Sequence, residues 1–358
     1  MATQKKDQAT SSSPTTDTTP LFRDILGQER VLNYLKTAWR QGRLAHAYLF
    51  LGPDGVGKTG VARALAAALN CDQPQEEGDA CGVCPSCRRM SAGTHPDFEV
   101  ITPEESKTQI GIERIREFRR LTAYPPMGGG WRVALIKPAE ALTAISDAAA
   151  NALLKTLEEP PPQHLIILAA VGEADLLPTV VSRCQKLNFA PLPVSLVAQE
   201  LIRRRDLAPA QAALVAALSG GSLGRALALD ADELLTQRRR ALSDLEQMSL
   251  GKIGPILQWA QRLAKNRPEL ENFLILAQLW YRDLLLAHFQ APSHLLAHQD
   301  CLEDLKQGGA QGRPRTWFAQ IAALGAAQRH LQANLNPELT LDILGLRLQR
   351  REPRHDSR

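Results

Sequence analysis

The chain has 358 residues, 44% hydrophobic and 22% charged, with a formal net charge of +4. That length exceeds one typical domain and carries enough apolar material for sizeable cores, so two or three globular domains are expected. The charge is too mild to call for nucleic acid by itself, and no apolar run approaches the roughly 18 residues of a membrane span. Residues 1–20 are rich in Ser, Thr and Gln and lack the apolar core of a secretory signal. They read as a disordered tail, residues 350–358 read as a basic one, and a cytoplasmic location with no membrane contact is the expectation.

In chain order, Gln28 to Arg40 has the spacing of an amphipathic helix entered through Gly27. Ala47-Tyr48-Leu49-Phe50-Leu51 reads as a buried strand, and Val61 to Leu69 as an Ala/Leu-rich helix. Between them, Gly52-Pro53-Asp54-Gly55-Val56-Gly57-Lys58-Thr59 fits G-x-x-x-x-G-K-[ST], the phosphate-binding loop. Gly52, Gly55 and Gly57 permit a tight turn whose N–H groups, with those of Asp54 and Val56, converge on phosphate oxygens. Lys58 is expected to reach the β- and γ-phosphates, and Thr59 to offer its hydroxyl to Mg²⁺, for bound ATP or ADP. A chance Gly-rich turn is the bland alternative, and the strand before and helix after argue against it.

Four cysteines follow, Cys71, Cys81, Cys84 and Cys87, spaced C-x9-C-x2-C-x2-C. In a nucleotide-binding chain this pattern reads as one tetrahedral structural Zn²⁺ site within residues 71–95, closed to substrate. His95 is the alternative ligand if Cys71 points elsewhere. Cys184 and Cys301 are isolated and read as buried small apolar residues.

Phe98–Thr102 is a short predicted strand, Ile112–Leu121 a helix and Arg132–Ile136 a strand. That last strand ends in Lys137-Pro138-Ala139-Glu140, where a P-loop ATPase needs an acidic residue to order Mg²⁺ and water. Lys137 repels a cation, and Glu140 comes three residues late, so binding without hydrolysis is predicted. Asp147–Leu157 is a helix that stops before Pro160-Pro161-Pro162. Leu165–Ala169 and Gln185–Phe189 are strands. Alternating strands and helices over 21–190 predict an α/β parallel sheet covered on both faces.

After Pro191-Leu192-Pro193 only helical signals remain: a small helical domain over 191–235, broken at Gly220-Gly221, and a larger all-α domain over 236–349. Pro268–Gln290 and Thr316–Ala333 are long predicted helices, and another starts near Pro337. The triplets Arg203-Arg204-Arg205 and Arg238-Arg239-Arg240 read more readily as solvated helix faces than as contacts to DNA phosphates.

These pieces together resemble the bacterial DNA polymerase III clamp-loader subunits, of AAA+ type. The resemblance rests on Leu21-Phe22-Arg23-Asp24-Ile25-Leu26-Gly27-Gln28-Glu29, on Gly42 to Phe50, and on the P-loop with its cysteine insert. It rests also on Asn151-Ala152-Leu153-Leu154-Lys155-Thr156-Leu157-Glu158-Glu159-Pro160-Pro161 and on Ser182-Arg183-Cys184. It is strong over residues 21–235 and weak beyond, where Asn334 to Leu339 looks like the start of the last delta-prime helix. Lys137-Pro138 in place of Asp-Glu, Ala170 and Val171 in place of sensor threonines, an arginine one residue late in Gly221-Ser222-Leu223-Gly224-Arg225, and the lack of a tau-length extension all favour the delta-prime branch over gamma/tau.

The resemblance implies an open pentameric ring with gamma/tau and delta subunits, loading a sliding clamp on primed DNA as part of the polymerase holoenzyme. It implies that Arg183 acts as an arginine finger on a neighbour's ATP, with a buried structural arginine as the alternative. It also implies that residues 191–235 form a lid and 236–349 a collar, with Phe273, Leu274, Leu276, Ala277, Trp280 and Leu284 serving as core or collar interface. Two rivals stand beside it: an active gamma/tau-like ATPase, and a zinc-dependent nucleic-acid module with a vestigial P-loop. The cysteine loop, with only Arg88 and Arg89 and no aromatic, supports the second poorly.

Overall fold

The computed structural model describes residues 21–349 apart from 105–106, 108, 143–146 and 250–251, so both predicted tails lie outside the described residues. The chain divides into two compact units, one up to Ala190 and one from Pro191. Among the described residues, no helix is long and apolar enough to cross a membrane.

The first unit is an α/β layer structure. Strands β1 (Ala47–Leu51), β2 (Phe98–Ile101), β3 (Arg132–Ile136), β4 (His164–Ala170) and β5 (Gln185–Asn188) form one sheet in the order β2-β3-β4-β1-β5. Every pairing is parallel, with Ala47 opposite Ile166 and Tyr48 opposite Gln185. Helix α1 (Glu29–Arg40) precedes the sheet, and the crossovers that parallel strands require contain helices α2 (Lys58–Leu69), α3 (Pro85–Ser91), α4 (Ile112–Thr122), α5 (Asp147–Glu158) and α6 (Pro178–Val181).

Strand β1 shows why the sequence is apolar without alternation. All five of its residues are buried. Tyr48 and Phe50 pack with α2 residues such as Val61 and Leu65, whereas Leu49 and Leu51 pack with Ile115, Phe118 and Leu153 on the other face. Both faces are core, so no polar position is tolerated.

The second unit is helical throughout: α7 (Val194–Arg205), α8 (Pro209–Leu218), α9 (Leu223–Ala228), α10 (Ala231–Ser249), α11 (Ile253–Ala264), α12 (Arg267–His288), α13 (Leu302–Gln311), α14 (Pro314–Gln332) and α15 (Pro337–Gln349). Asn266 caps α12 by accepting a hydrogen bond from Glu269 N–H, with Pro268 in the first turn. Phe273, Leu274, Leu276, Ala277 and Leu284 on α12 are buried, so that face is core rather than a free surface. The exposed apolar stripe lies instead on α15, at Leu339, Ile343 and Leu346. On its other side, Gly345 packs so closely on α11 that a Cβ there would meet Ile256 Cγ2 at 2.3 Å.

Members of both basic triplets are paired within this unit. Arg203 and Arg204 both donate to the Glu200 carboxylate, and Arg205 donates to the Leu229 carbonyl. Arg238 is buried and grips Asp300 through two hydrogen bonds of 2.7 and 2.6 Å. The solvated-face reading therefore fails at Arg238, because a long-range carboxylate compensates its burial.

Candidate functional site

Helix α2 organises two sites, one at each end. At its N-terminus, residues 52–57 form the predicted loop between β1 and α2. Gly52 sits at φ 147°, and a Cβ there would lie 2.4 Å from the Phe189 carbonyl oxygen, so only glycine fits beside β5. Gly57 caps α2 at φ 107°. Gln28 clamps the loop from outside. Its Nε2 donates to the Val56 and Ala190 carbonyls, and its Oε1 accepts from Ala190 N–H. Sequence reasoning missed this buried glutamine, whose only signal is its place after Gly27.

Lys58 is buried, donates to the Gly52 and Pro53 carbonyls, and lies 3.6 Å from the Asp54 carboxylate. Burial pushes its ammonium down from the usual lysine range, while Asp54 and Glu140 oppose that shift. The strand-end substitution predicted from sequence lies beside it. Lys137 Nζ is 3.4 Å from Thr59 Oγ1. Burial and the nearby Arg63 push the Lys137 ammonium down, with Asp54 acting the other way. Glu140 lies in the turn Ala139–Leu142 after β3, and its Oε1 accepts the Val171 N–H at 2.5 Å. The structure thus brings Lys58, Thr59 and Lys137 together and turns one oxygen of Glu140 toward the backbone after β4.

At the other end of α2, Cys71, Cys81, Cys84 and Cys87 converge, with all four sulfurs within 4.8 Å of one another. The Sγ···Sγ separations include 4.0 Å for Cys71–Cys84, 3.9 Å for Cys81–Cys87 and 3.7 Å for Cys71–Cys87. A tetrahedron of sulfurs about 2.3 Å from a central metal has edges of about 3.8 Å. Backbone N–H groups of Val83 and Cys84 point at Cys81 Sγ, and that of Cys87 at Cys84 Sγ. Those donors, chiefly the Val83 amide, hold the Cys81 thiol down to about 7. Burial pushes the Cys71 and Cys87 thiols up, so thiolates there call for a cation. The four cysteines are therefore a cluster able to hold a metal.

His95 is not part of the cluster. Its Nε2 meets Ser86 Oγ at 3.1 Å and its Nδ1 accepts Asp97 N–H. The segment also contains α3, capped by Cys84 with Pro85 in its first turn, where the sequence suggested only a ligand loop. Asp79 was missed as well. Its buried carboxylate accepts the N–H groups of Phe22, Arg23 and Ala80 and ties the start of the described chain to the cysteine loop.

Arg183 follows α6 and precedes β5, half-exposed. Its guanidinium donates to the Thr179 carbonyl at 2.9 Å and pairs with Glu158 at 2.6 Å. It is not buried. Cys184 is buried, and burial pushes its thiol up to about 12, as suits an inert core residue. Cys301 is only half-buried.

Comparison with known proteins accords with this arrangement. The family model described as "DNA polymerase III, delta subunit" matches residues 27–193. DNA polymerase III subunit delta' of Pseudomonas aeruginosa is 34% identical over 84% of this chain and 90% of its own length. The Bacillus subtilis subunit delta' is 30% identical over 90% of this chain and 96% of its own. Escherichia coli subunit tau is 37% identical, but over 58% of this chain and 32% of its own length. A relationship that runs nearly end to end in these two delta' proteins and only partway in this tau assigns the branch: this chain belongs to the family of DNA polymerase III delta' subunits.

Proposed function

We propose that this chain is the non-hydrolysing delta-prime member of a clamp loader. In this reading it assembles with gamma/tau and delta subunits in the cytoplasm and helps place a sliding clamp on primed DNA. It completes a neighbour's ATP site with Arg183. The observation that carries this is the contrast between its two phosphate-directed groups. Its own P-loop faces Lys137 where a hydrolysing site needs an acid, whereas Arg183 stands half-exposed, held by a carboxylate pair. Such partly exposed pairs are worth about 0–1 kcal/mol, so Glu158 restrains Arg183 without immobilising it. A guanidinium can then grip two oxygens of a triphosphate presented by another chain.

The remaining parts fit the same assembly. The cysteine cluster carries a structural Zn²⁺, since its sulfur separations match a tetrahedral tetrathiolate. Residues 52–59 bind ATP or ADP without turnover. Residues 191–235 act as a lid and 236–349 as a collar, with the α15 stripe of Leu339, Ile343 and Leu346 facing a neighbouring subunit.

Co-purification with gamma/tau and delta tests assembly. Reconstituting the complex with Arg183→Ala tests the finger: assembly should persist while DNA-stimulated ATPase and clamp loading fall. Unchanged rates would remove the role, and loss of assembly would make Arg183 structural. The rival reading, an active gamma/tau-like ATPase, draws on the intact P-loop. Steady ATP turnover by the isolated chain, abolished by Lys58→Ala, would establish it.

A further inference from the structure

We infer that Lys137 takes the place of the divalent cation at the P-loop, so that this site binds the triphosphate of a nucleotide free of metal. The inference rests on the reading of residues 52–59 as a nucleotide site and specifies the ionic form of the ligand.

The residues present do not fit Mg²⁺. In a P-loop the Ser/Thr hydroxyl is a metal ligand, and an acid at the end of a neighbouring strand orders the rest of the metal's shell. Here the hydroxyl, Thr59 Oγ1, has the Lys137 ammonium 3.4 Å away. A Mg²⁺ at its usual distance of about 2.1 Å from that oxygen would lie no farther than about 5.5 Å from the ammonium. Like charges at that range in a half-buried site repel strongly.

Glu140, the acid just past the strand end, favours the Lys58 ammonium, and Asp54 is the acid that favours that of Lys137. Pro138 and Ala139 follow Lys137, and Glu140 gives Oε1 to the Val171 amide at the end of β4. Asp54 is exposed and paired with Lys58.

The same residues suit a bare polyphosphate. An ammonium has three N–H donors, and Thr59 accounts for one at Lys137, leaving two for phosphate oxygens. Lys58 stands at the loop carbonyls of Gly52 and Pro53, Arg63 lies near enough to repel Lys137, and α2 directs its N-terminus at the loop. Two lysine ammoniums beside the loop, a helix terminus and the field of Arg63 act on a ligand of about four negative charges. Burial disfavours the Lys58 and Lys137 ammonium forms, Arg63 adds repulsion at Lys137, and an incoming polyanion opposes both effects. Lys137 cannot accept a proton from water while charged, so the exchange of metal for ammonium accounts for binding and for the absence of turnover together.

The test is equilibrium binding of a fluorescent ATP analogue to the purified full chain, in buffer stripped of divalent cations by resin and then across a Mg²⁺ titration. No chelator is added, because it would compete at the cysteine site. Affinity in the stripped buffer should equal or exceed that in excess Mg²⁺. Lys137→Gln should weaken metal-free binding at least about tenfold, as expected for one lost charge-assisted hydrogen bond, with an unchanged melting curve. Lys137→Arg should retain metal-free binding. Binding by the wild type that is tenfold or more tighter with Mg²⁺ would overturn the inference and leave the nucleotide site standing. No binding under either condition would overturn both.

Discussion

Helix α2 carries a different kind of cation chemistry at each end, and the contrast separates what a motif specifies from what its surroundings specify. At the C-terminal end the donor set is complete within a short stretch: four sulfurs at tetrahedral separations, oriented by backbone N–H groups of their own loop. At the N-terminal end the motif is equally intact. Its chemistry, however, depends on β3, where Lys137 reaches Thr59 from a residue far away in sequence. A local site is autonomous. A distributed site can keep its signature and change its function through one distant side chain.

The largest expected effect lies at the autonomous end. Metal analysis should give about one zinc per chain, and Cys84→Ser should lose it, because thiolate–zinc binding can contribute on the order of 10 kcal/mol to local folding. The change should appear as proteolytic sensitivity over residues 71–95 and lowered thermal stability. Full zinc content and an unaltered melting curve would break the contrast from that side.

The next effect belongs to the distributed chemistry. In a reconstituted complex, Arg183→Ala should lower DNA-stimulated ATPase by about 10³-fold or more, the scale of arginine fingers supplied by a neighbour. Isolated subunit stability should shift by less than about 1 kcal/mol, since only a partly exposed pair with Glu158 is lost.

A third test asks whether the C-terminal end of α2 is held by protein groups as well as by the proposed metal. Asn70, at the helix C-cap, exchanges hydrogen bonds with the Trp131 backbone. Nearby, the Asp97 carboxylate accepts the Met127 and Gly128 N–H groups and pairs with Arg132. Burial alone would raise the Asp97 carboxyl, but these partners outweigh it and hold the group below the usual carboxylate range. Its stabilisation is therefore present above the unfolded value of about 4 and is lost as pH falls through the depressed folded value. Asp97→Ala should cost about 3–5 kcal/mol by stranding Arg132, and should flatten the acid limb of the stability profile. An unchanged profile would show that the metal alone organises this end.

The smallest effect returns to the P-loop. Lys58→Ala should weaken nucleotide binding by roughly ten- to hundred-fold, the value of one hydrogen-bonded charge, without lowering zinc content. Loss of zinc in this variant would mean that the two ends of α2 are not independent.

Several elements were legible in the sequence because their signals are local. Strands β1 and β3 were bounded correctly by their unbroken apolar runs, and the C-x9-C-x2-C-x2-C spacing identified the sulfurs that meet. Helix α3 was missed, although Pro85 behind a capping Cys84 is a start signal, because the cysteine spacing already explained the segment as a loop. The buried Gln28, Asp79, Asp97 and Asp283 were not seen. Polar residues read as surface until the backbone amides and cations that satisfy them are located. Asp283 accepts from His298 and Arg282, and Asp97 from amides about thirty residues away.

By itself the sequence determined the alternation of strands and helices, the phosphate loop, the metal-competent cysteines and the family, all of which are written in short windows. The tertiary structure decided what those windows face. It set Lys137 against Thr59, turned Glu140 to the Val171 amide and left His95 outside the sulfur cluster. It paired Arg183 with Glu158 and Arg238 with Asp300, buried the apolar face of α12 that the sequence left as core or interface, and exposed one on α15. The reason is physical: periodicity and spacing act within a turn or two of chain, whereas burial, charge pairing and the availability of a surface depend on which distant segments fold against each residue.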